Sequence, residues 1–248
     1  MPNTGIMASA VNIAVAPPPP FTPADVAVWY DATDDTTFSY SSSTFPSQWR
    51  DKSVNGWHLT PGTAGWHNRN VTINGLKAVN LNQNGGGLNG PSIDIRSLVA
   101  ANFTDCMMFG VMASTNQRGT LLTIAAPSSQ FVRCESASAS FHLWDMPDAG
   151  GGRLTSSNVL SGSSPMLWSC YRNGANMAIV VNGTTQASKA NATGTISSSS
   201  SGPFKVWTGI SAGTFVSGPV GELVHVPRYD AALFTSITAY LKAKWGTP

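Results

Sequence analysis

The chain has 248 residues, of which 42% are hydrophobic and 10% charged, and its formal net charge is +2. This length suits one domain with a sizeable core, and the apolar content excludes a disordered chain, because disorder accompanies low hydrophobicity and high net charge. The 14 basic residues form no run, so we expect no nucleic-acid partner.

Residues 1–24 differ in composition from the rest, and we predict that they form an N-terminal arm. Four consecutive prolines favour an extended segment without internal hydrogen bonds. The apolar residues before them favour an arm that anchors on another protein or subunit, and a disordered tail is the alternative. The predicted anchoring residues are Ile6, Met7, Val11, Ile13, Val15, Pro17, Pro18, Pro19 and Pro20.

Residues 25–248 read as one all-β domain. Short runs of β-branched and aromatic residues alternate with Gly- and Asn-rich turns, a spacing typical of a sandwich or jelly roll. Asn173-Gly174 and Asn182-Gly183 predict tight hairpin turns, and therefore an antiparallel meander. The predicted strands are 26–31, 78–81, 106–112, 120–124, 130–134, 140–144, 166–171, 177–181, 204–207 and 220–226.

One helix is predicted, at the C-terminus. Asp230 is a good N-cap, and apolar residues recur after it at helical spacing. Lys242 and Lys244 lie in the last turn, where cations favour the helix dipole, and Gly246 suits a left-handed C-terminal stop.

The cysteines and the N-terminal sequence indicate folding in a reducing compartment. Cys106, Cys134 and Cys170 are widely spaced and odd in number, so we expect three reduced, half-buried thiols. Arg50 is the first basic residue, so we expect no signal peptide, which needs a positive start. We also expect no membrane span, because no apolar run reaches about 18 residues.

Several groups of residues form motifs along the chain. The opening motif is Trp29-Tyr30-Asp31-Ala32-Thr33-Asp34, and the second is Trp49-Arg50-Asp51-Lys52-Ser53-Val54-Asn55-Gly56. Gly221-Glu222-Leu223 lies in the last predicted strand, the run from Tyr240 to Gly246 ends the predicted helix, and Val181-Asn182-Gly183 ends a hairpin strand. In their order along the chain the motifs resemble those of concanavalin-like, LamG-type jelly-roll domains of bacteriophage structural proteins, with Val54 where that family usually has Gly.

The resemblance implies an antiparallel jelly-roll sandwich with one C-terminal α-helix and an extended arm. It also implies a virion component, made in the bacterial host cytoplasm, that docks on phage capsid or tail proteins, with a homo-oligomer expected on a symmetric particle. Such domains often bind calcium, for which Asp31, Asp34 and Asp35 are weak candidates. We otherwise expect no metal and no cofactor.

The motif residues themselves predict structural roles. Side chains of Asp51, Ser53 and Asn55 suit hydrogen bonds to backbone groups of their own turn. The large side chains of Trp29, Trp49 and Trp245 are expected to close the core.

We predict that the chain is not an enzyme. Glycoside hydrolysis needs two nearby carboxylates, and no predicted strand carries them at i and i+4. The sequence also has no G-x-S-x-G elbow and no phosphate-binding loop followed by Lys and a helix. A glycan hydrolase is therefore the least favoured reading.

Surface aromatic residues offer the alternative function, recognition of bacterial surface glycans by a carbohydrate-binding adhesin module. Aromatic planes near polar groups suit shallow sugar sites. The candidate contact residues, for a glycan or a protein partner, are Trp57, His58, Trp66, His67 and Trp144, although core packing is the alternative role of these tryptophans. The main prediction is a non-enzymatic virion surface protein, either a head decoration or head fibre or a tail-associated protein.

Overall fold

A computed structural model describes residues 16–41, 45–62, 67–81, 87–94, 97, 104–113, 119–124, 133–137, 140–144, 153–156, 164–191, 201–208 and 218–248. In the strands between residues 119 and 144, and in most of 201–208, it describes the backbone alone. The strands are β1 (Val28–Asp31), β2 (Phe38–Tyr40), β3 (Pro46–Trp49), β4 (Thr60–Pro61), β5 (Asn68–Ile73), β6 (Leu76–Leu81), β7 (Leu88–Asp94), β8 (Cys106–Ala113), β9 (Gly119–Ile124), β10 (Arg133–Ala137), β11 (Ser140–Trp144), β12 (Arg153–Thr155), β13 (Pro165–Asn173), β14 (Asn176–Val181), β15 (Thr184–Lys189), β16 (Ser201–Thr208) and β17 (Gly218–Val226). A 3-10 turn covers Asp35–Thr37, and helix α1 covers Ala231–Trp245.

Two antiparallel sheets form the body of the domain. The larger has eight strands in the order β15-β14-β13-β8-β17-β6-β5, with β1 also paired to β17. The second has seven, in the order β12-β11-β10-β9-β16-β7-β4, and β2 pairs with β3 separately. In the larger sheet, β6 pairs with 218–220 of β17 and β1 with 222–225, so both lie along one side of that strand.

Asn-Gly turns set the register of two hairpins. Asn182 and Gly183 join β14 to β15 with φ values of 51° and 82°, as the sequence predicts for a tight turn. Asn74 and Gly75 join β5 to β6 in the same way, with φ values of 48° and 84°. Between β13 and β14 only Gly174 has a positive φ, 57°, so Asn173 belongs to the strand rather than to the turn.

The core lies on both faces of the larger sheet. All eight residues of β8 are buried, which requires a cover on each side. Helix α1 covers one face, where Phe234 packs 5.0 Å from Phe109. The second sheet approaches at β12, which contacts β14. Trp168 packs over Gly110, where an added Cβ would lie 2.4 Å from the indole ring.

The C-terminal helix is built as predicted. Asp230 accepts a hydrogen bond from the Leu233 N–H at 2.9 Å, and Gly246 ends the helix in the left-handed region with φ 60°. Its buried residues are Ile237, Tyr240, Leu241 and Trp245. Within the described part of the chain, no helix combines the length and hydropathy of a membrane span.

Part of the predicted arm packs on the domain. Phe21 is buried, with its ring 5.0 Å from Trp29 and 6.1 Å from Tyr240. Residues 16–20 are mostly exposed, whereas the predicted anchoring residues from Ile6 to Val15 lie outside the described residues. Cys106 and Cys170 are buried, more deeply than the predicted half-burial. The side chain of Cys134 is not described.

Candidate functional site

Three charged side chains meet beneath helix α1: Asp31 of β1, Glu222 of β17 and Lys244 of α1. Asp31 and Glu222 are directly opposite each other in the antiparallel β1–β17 pair, so their side chains share one face of the sheet. The Lys244 amine lies 2.9 Å from Asp31 Oδ2 and 2.8 Å from Glu222 Oε2. We call these three residues the buried triad.

The triad is shielded from water. Its side chains are at most 7% exposed, and Glu222 is fully buried. The indole N–H groups of Trp29 and Trp245 each donate to Glu222 at 2.9 Å, and the Tyr240 hydroxyl donates to it at 3.1 Å. These donors, one from β1 and two from α1, satisfy the Glu222 carboxylate, as a buried charge requires.

Burial and mutual attraction set the ionisation of the triad. Burial, together with the charge of Asp31, raises the pKa of Glu222. Burial alone would also raise the pKa of Asp31, but the charge and hydrogen bond of Lys244 outweigh it and the pKa is lowered. Burial alone would lower the pKa of Lys244, but attraction to Glu222 and Asp31 raises it. At rest, an Asp31–Lys244 ion pair therefore lies beside a carboxylate that takes up a proton more readily than an ordinary glutamate.

The triad changes one expectation from the sequence. No strand carries a carboxylate pair, yet strand pairing assembles one from Asp31 and Glu222. Glycoside hydrolysis requires two carboxyl groups that flank the scissile bond, and this pair lies under α1 with Lys244 between its members. The available signal was Glu222 itself, the one acid in the run 220–226, which is apolar apart from His225.

The loop after β3 is organised by Asp51, as the motif predicts. Asp51 accepts the N–H groups of Ser53 and Trp57 at 2.9 and 3.0 Å, and the Ser53 hydroxyl at 2.6 Å. It also accepts the Trp29 N–H at 2.9 Å, so the turn is attached to β1 as well as to itself. Asn55 adds a side-chain hydrogen bond to the segment before β1. The role of this motif is structural.

Of the five predicted contact residues, three have side chains that the structure describes: Trp57, His58 and His67. Trp57 is half-buried and packs on the core, while His58 Nδ1 accepts the Asp51 N–H at 3.2 Å. His67 is only 1% exposed and its Nε2 lies 3.1 Å from the Gly87 carbonyl oxygen, so its side chain does not lie on the surface.

Two further candidates cannot be placed. Trp66 lies outside the described residues, and for Trp144, in β11, only the backbone is described. Their predicted contact roles stay predictions.

A cluster that the sequence did not reveal lies on the surface beside β2. Among the side chains whose exposure is described, Tyr40 is the only exposed aromatic residue, at 44%. The Arg69 guanidinium donates to the Tyr40 hydroxyl at 2.7 Å and to Asp35 at 2.5 Å. Lys77 forms an ion pair with the second Asp35 oxygen. We call Asp35, Tyr40, Arg69 and Lys77 the Tyr40 cluster.

Arg69 holds the Tyr40 cluster in shape. Its side chain is 5% exposed and lies over the Phe38 ring, 3.8 Å from the centroid. It also donates to the Ala32 carbonyl. Asp35 and Lys77, by contrast, are 53% and 58% exposed, and the hydrogen bonds of Lys77 and Arg69 lower the pKa of Asp35. The buried Arg69 side chain therefore supports three accessible groups: the Tyr40 ring, the Asp35 carboxylate and the Lys77 amine.

The three weak calcium candidates are held by cations. Asp31 pairs with Lys244, Asp34 with Lys52 at 2.8 Å, and Asp35 with Lys77. Across the described residues, no group of three or more His, Cys, Asp or Glu side chains is arranged to hold a metal ion. The donors around these carboxylates do not fit calcium, which needs six to eight oxygen ligands.

The comparisons with known proteins establish the fold. No family model matches the sequence, and no curated protein matches it. Domain 4 of AbnA, a GH43 extracellular arabinanase from Geobacillus stearothermophilus, was solved in complex with arabinotriose. It superposes with a TM-score of 0.55 at 14% identity, covering 88% of this chain and 98% of that domain.

Two toxin binding domains are similar as well. The binding domain of Paraclostridial Mosquitocidal Protein 1 has a TM-score of 0.58 at 12% identity, covering 90% of this chain. That of Botulinum neurotoxin serotype G has a TM-score of 0.58 at 13% identity, also covering 90%. The chain spans about half of each toxin domain, 55% and 54%. The fold is therefore an antiparallel jelly-roll sandwich with one C-terminal helix, as predicted, of a type found in binding domains.

Proposed function

We propose that this protein is a non-catalytic binding domain that recognises a glycan at the Tyr40 cluster. The observation that carries the proposal is the exposed Tyr40 ring beside an accessible carboxylate and amine. Sugar sites combine an apolar plane with a few convergent polar groups. Similarity of the fold to the arabinotriose-bound domain supports the same reading.

Each member of the Tyr40 cluster has a role in this proposal. The Tyr40 ring packs against the C–H face of a sugar, Asp35 accepts hydrogen bonds from its hydroxyls, and Lys77 donates to ring or hydroxyl oxygens. Arg69 holds Tyr40 and Asp35 in place from below. Positions fixed before binding reduce the entropy lost when the sugar docks.

The proposal excludes hydrolysis as the role of this domain. The Tyr40 cluster offers one carboxylate, Asp35, whereas hydrolysis uses two. Asp31 and Glu222 do form a close carboxylate pair, but Lys244 bridges the two groups beneath α1. Reversible binding is what the accessible groups support.

A glycan array probed with the full chain tests the proposal. The wild-type protein is expected to bind a subset of glycans, and Tyr40→Ala to weaken that binding by about tenfold or more, as for an aromatic hot spot. Val54→Ala is the matched control, because Val54 is the other exposed large apolar side chain among those described, at 70%. Equal binding by wild type and Tyr40→Ala, or no binding to any glycan, would overturn the proposal.

We propose a virion surface as the setting in which this domain works. The motifs that resemble those of phage jelly-roll proteins contact one another, and this observation favours the virion setting. Asp51 accepts the Trp29 N–H, and Glu222 accepts the indole N–H groups of Trp29 and Trp245. In this setting the arm docks on capsid or tail proteins and copies associate symmetrically. Mass spectrometry and immunogold labelling of purified virions test this setting. If neither method detects the chain on the particles, the virion proposal is contradicted.

A further inference from the structure

The buried triad places the Lys244 amine against the Asp31 carboxyl group, and both side chains are shielded from solvent. Lys244 Nζ lies 2.9 Å from Asp31 Oδ2, and the side chains are 6% and 7% exposed. Glu222 Oε2 lies 2.8 Å from the same nitrogen and is fully buried. The three groups come from β1, near the start of the domain, and from β17 and α1, which follow each other at its end.

Neighbouring residues fix the positions of the Asp31 and Glu222 carboxyl groups. Thr33 donates its N–H and its hydroxyl to Asp31 Oδ1, at 3.0 and 2.7 Å, which leaves Oδ2 facing the amine. Glu222 is fixed by the donors from Trp29, Trp245 and Tyr240. A hydroxyl and an amide N–H on Oδ1 also polarise the Asp31 carboxyl group toward nucleophilic attack.

We propose that Lys244 and Asp31 condense to form an intramolecular isopeptide bond, with Glu222 as the proton carrier. The bond joins Lys244 Nζ to Asp31 Cγ, and one water molecule leaves. No oxidant, reductant or further reactant takes part. The proposal concerns the covalent structure of the chain and does not depend on the glycan site.

The chemistry proceeds from the ion pair. Transfer of one proton from the Lys244 ammonium to Asp31 gives an amine and a carboxylic acid, the two forms that can condense. The Nζ lone pair attacks Cγ, and Glu222 takes a proton from the nitrogen of the tetrahedral intermediate. Glu222 then returns that proton to the departing Asp31 hydroxyl, the C–O bond breaks, and water leaves with the amide formed. Fixed proximity of this kind replaces a bimolecular encounter.

The contacts explain why Asp31 and Lys244 are the pair that reacts. Glu222 accepts three hydrogen bonds besides that of Lys244, so both of its oxygens are held as acceptors and neither is free to leave as water. Lys52 also approaches Asp31, but at 3.5 Å and with 23% of its side chain exposed, so it is both farther away and more accessible to water. Asp31 and Lys244 are the pair that is both close and dry.

The bond would connect the first strand of the sandwich to the last helix. It closes a loop that includes most of the chain, and cross-links that close long loops constrain the unfolded state most. Such a link gives a domain resistance to unfolding and proteolysis. The expectation is that the linked chain stays partly closed even in denaturant.

Intact-mass and peptide-mapping mass spectrometry of the purified full-length chain test the proposal. The denatured wild-type protein is expected to be lighter than its sequence by one water. Because trypsin does not cleave after an acylated lysine, a branched peptide is expected in which residues 243–248 are attached to the peptide containing Asp31. Tandem spectra assign the linked pair directly.

Matched variants complete the test. Asp31→Ala and Lys244→Arg are expected to show the full sequence mass, Glu222→Gln to lose most of the linked form, and Lys52→Arg to keep the link. A wild-type protein of full sequence mass that is cleaved after Lys244 would overturn the proposal, whether or not the variants fold. A link mapped to Glu222 or Lys52 would overturn it equally.

Discussion

Gly221 of β17 and Trp245 of α1 are in direct contact: a Cβ added to Gly221 would lie 2.7 Å from the indole ring. The ring is fully buried against the strand. The Gly-Glu pair of the closing strand therefore has two tasks. Its glycine makes room for the indole ring, and its Glu222 accepts the indole N–H at 2.9 Å.

Gly221→Ala is expected to destabilise the protein by about 1–3 kcal/mol, because the added methyl group must displace a packed indole ring. Urea unfolding followed by tryptophan fluorescence measures the change. Trp245→Leu supplies the control, since in that background the alanine has room and should cost less. Equal losses in both backgrounds would show that the contact does not account for the glycine.

Asp51→Ala is expected to destabilise the protein by about 3 kcal/mol, because the buried N–H groups of Trp29, Ser53 and Trp57 lose their acceptor. Asp34→Ala is the control, an exposed cap of the 3-10 turn that should cost about 1 kcal/mol. Thermal unfolding by circular dichroism measures both. The structural role of the second motif is wrong if Asp51→Ala costs no more than Asp34→Ala.

The stability of the protein is expected to fall on acidification, in part through His67. Burial lowers the pKa of His67 below its ordinary value of 6.5, although the bond to Gly87 opposes this. The unfolded state therefore takes up a proton that the folded state does not, and stability is lost as the pH falls below 6.5, by at most about 1.4 kcal/mol per pH unit.

His67→Gln tests that assignment, because glutamine can still donate to the Gly87 carbonyl but does not titrate. Its unfolding free energy should vary less than that of wild type between neutral pH and about pH 5. Chemical denaturation at several pH values gives both slopes. Parallel profiles would assign the acid sensitivity to other groups.

Local sequence signals predicted the elements whose contacts are local. The α1 helix follows from its cap at Asp230 and its stop at Gly246, and the β14–β15 turn from Asn182-Gly183. The predicted strand at 130–134 is shifted, since β10 runs Arg133–Ala137. The strands that were missed are shorter or more polar: β2, β3, β4, β5, β7, β12 and β15.

The sites depend on contacts that no local pattern contains. Tyr40 lies in a three-residue strand, and Arg69 reaches it from a distant part of the chain. Asp31 and Glu222 meet only because β1 pairs with β17. Likewise, Phe21 follows the prolines and reads as part of the arm, but it is buried against Trp29.

Isothermal titration calorimetry with the glycan selected on the array, followed by chromatography of the recovered sugar, tests the central claim most directly. The account predicts saturable binding by wild type, a loss of about tenfold or more in Tyr40→Ala, unchanged affinity in Val54→Ala, and a glycan recovered intact. Shortened glycan products, or the same affinity after loss of the Tyr40 ring, would contradict it.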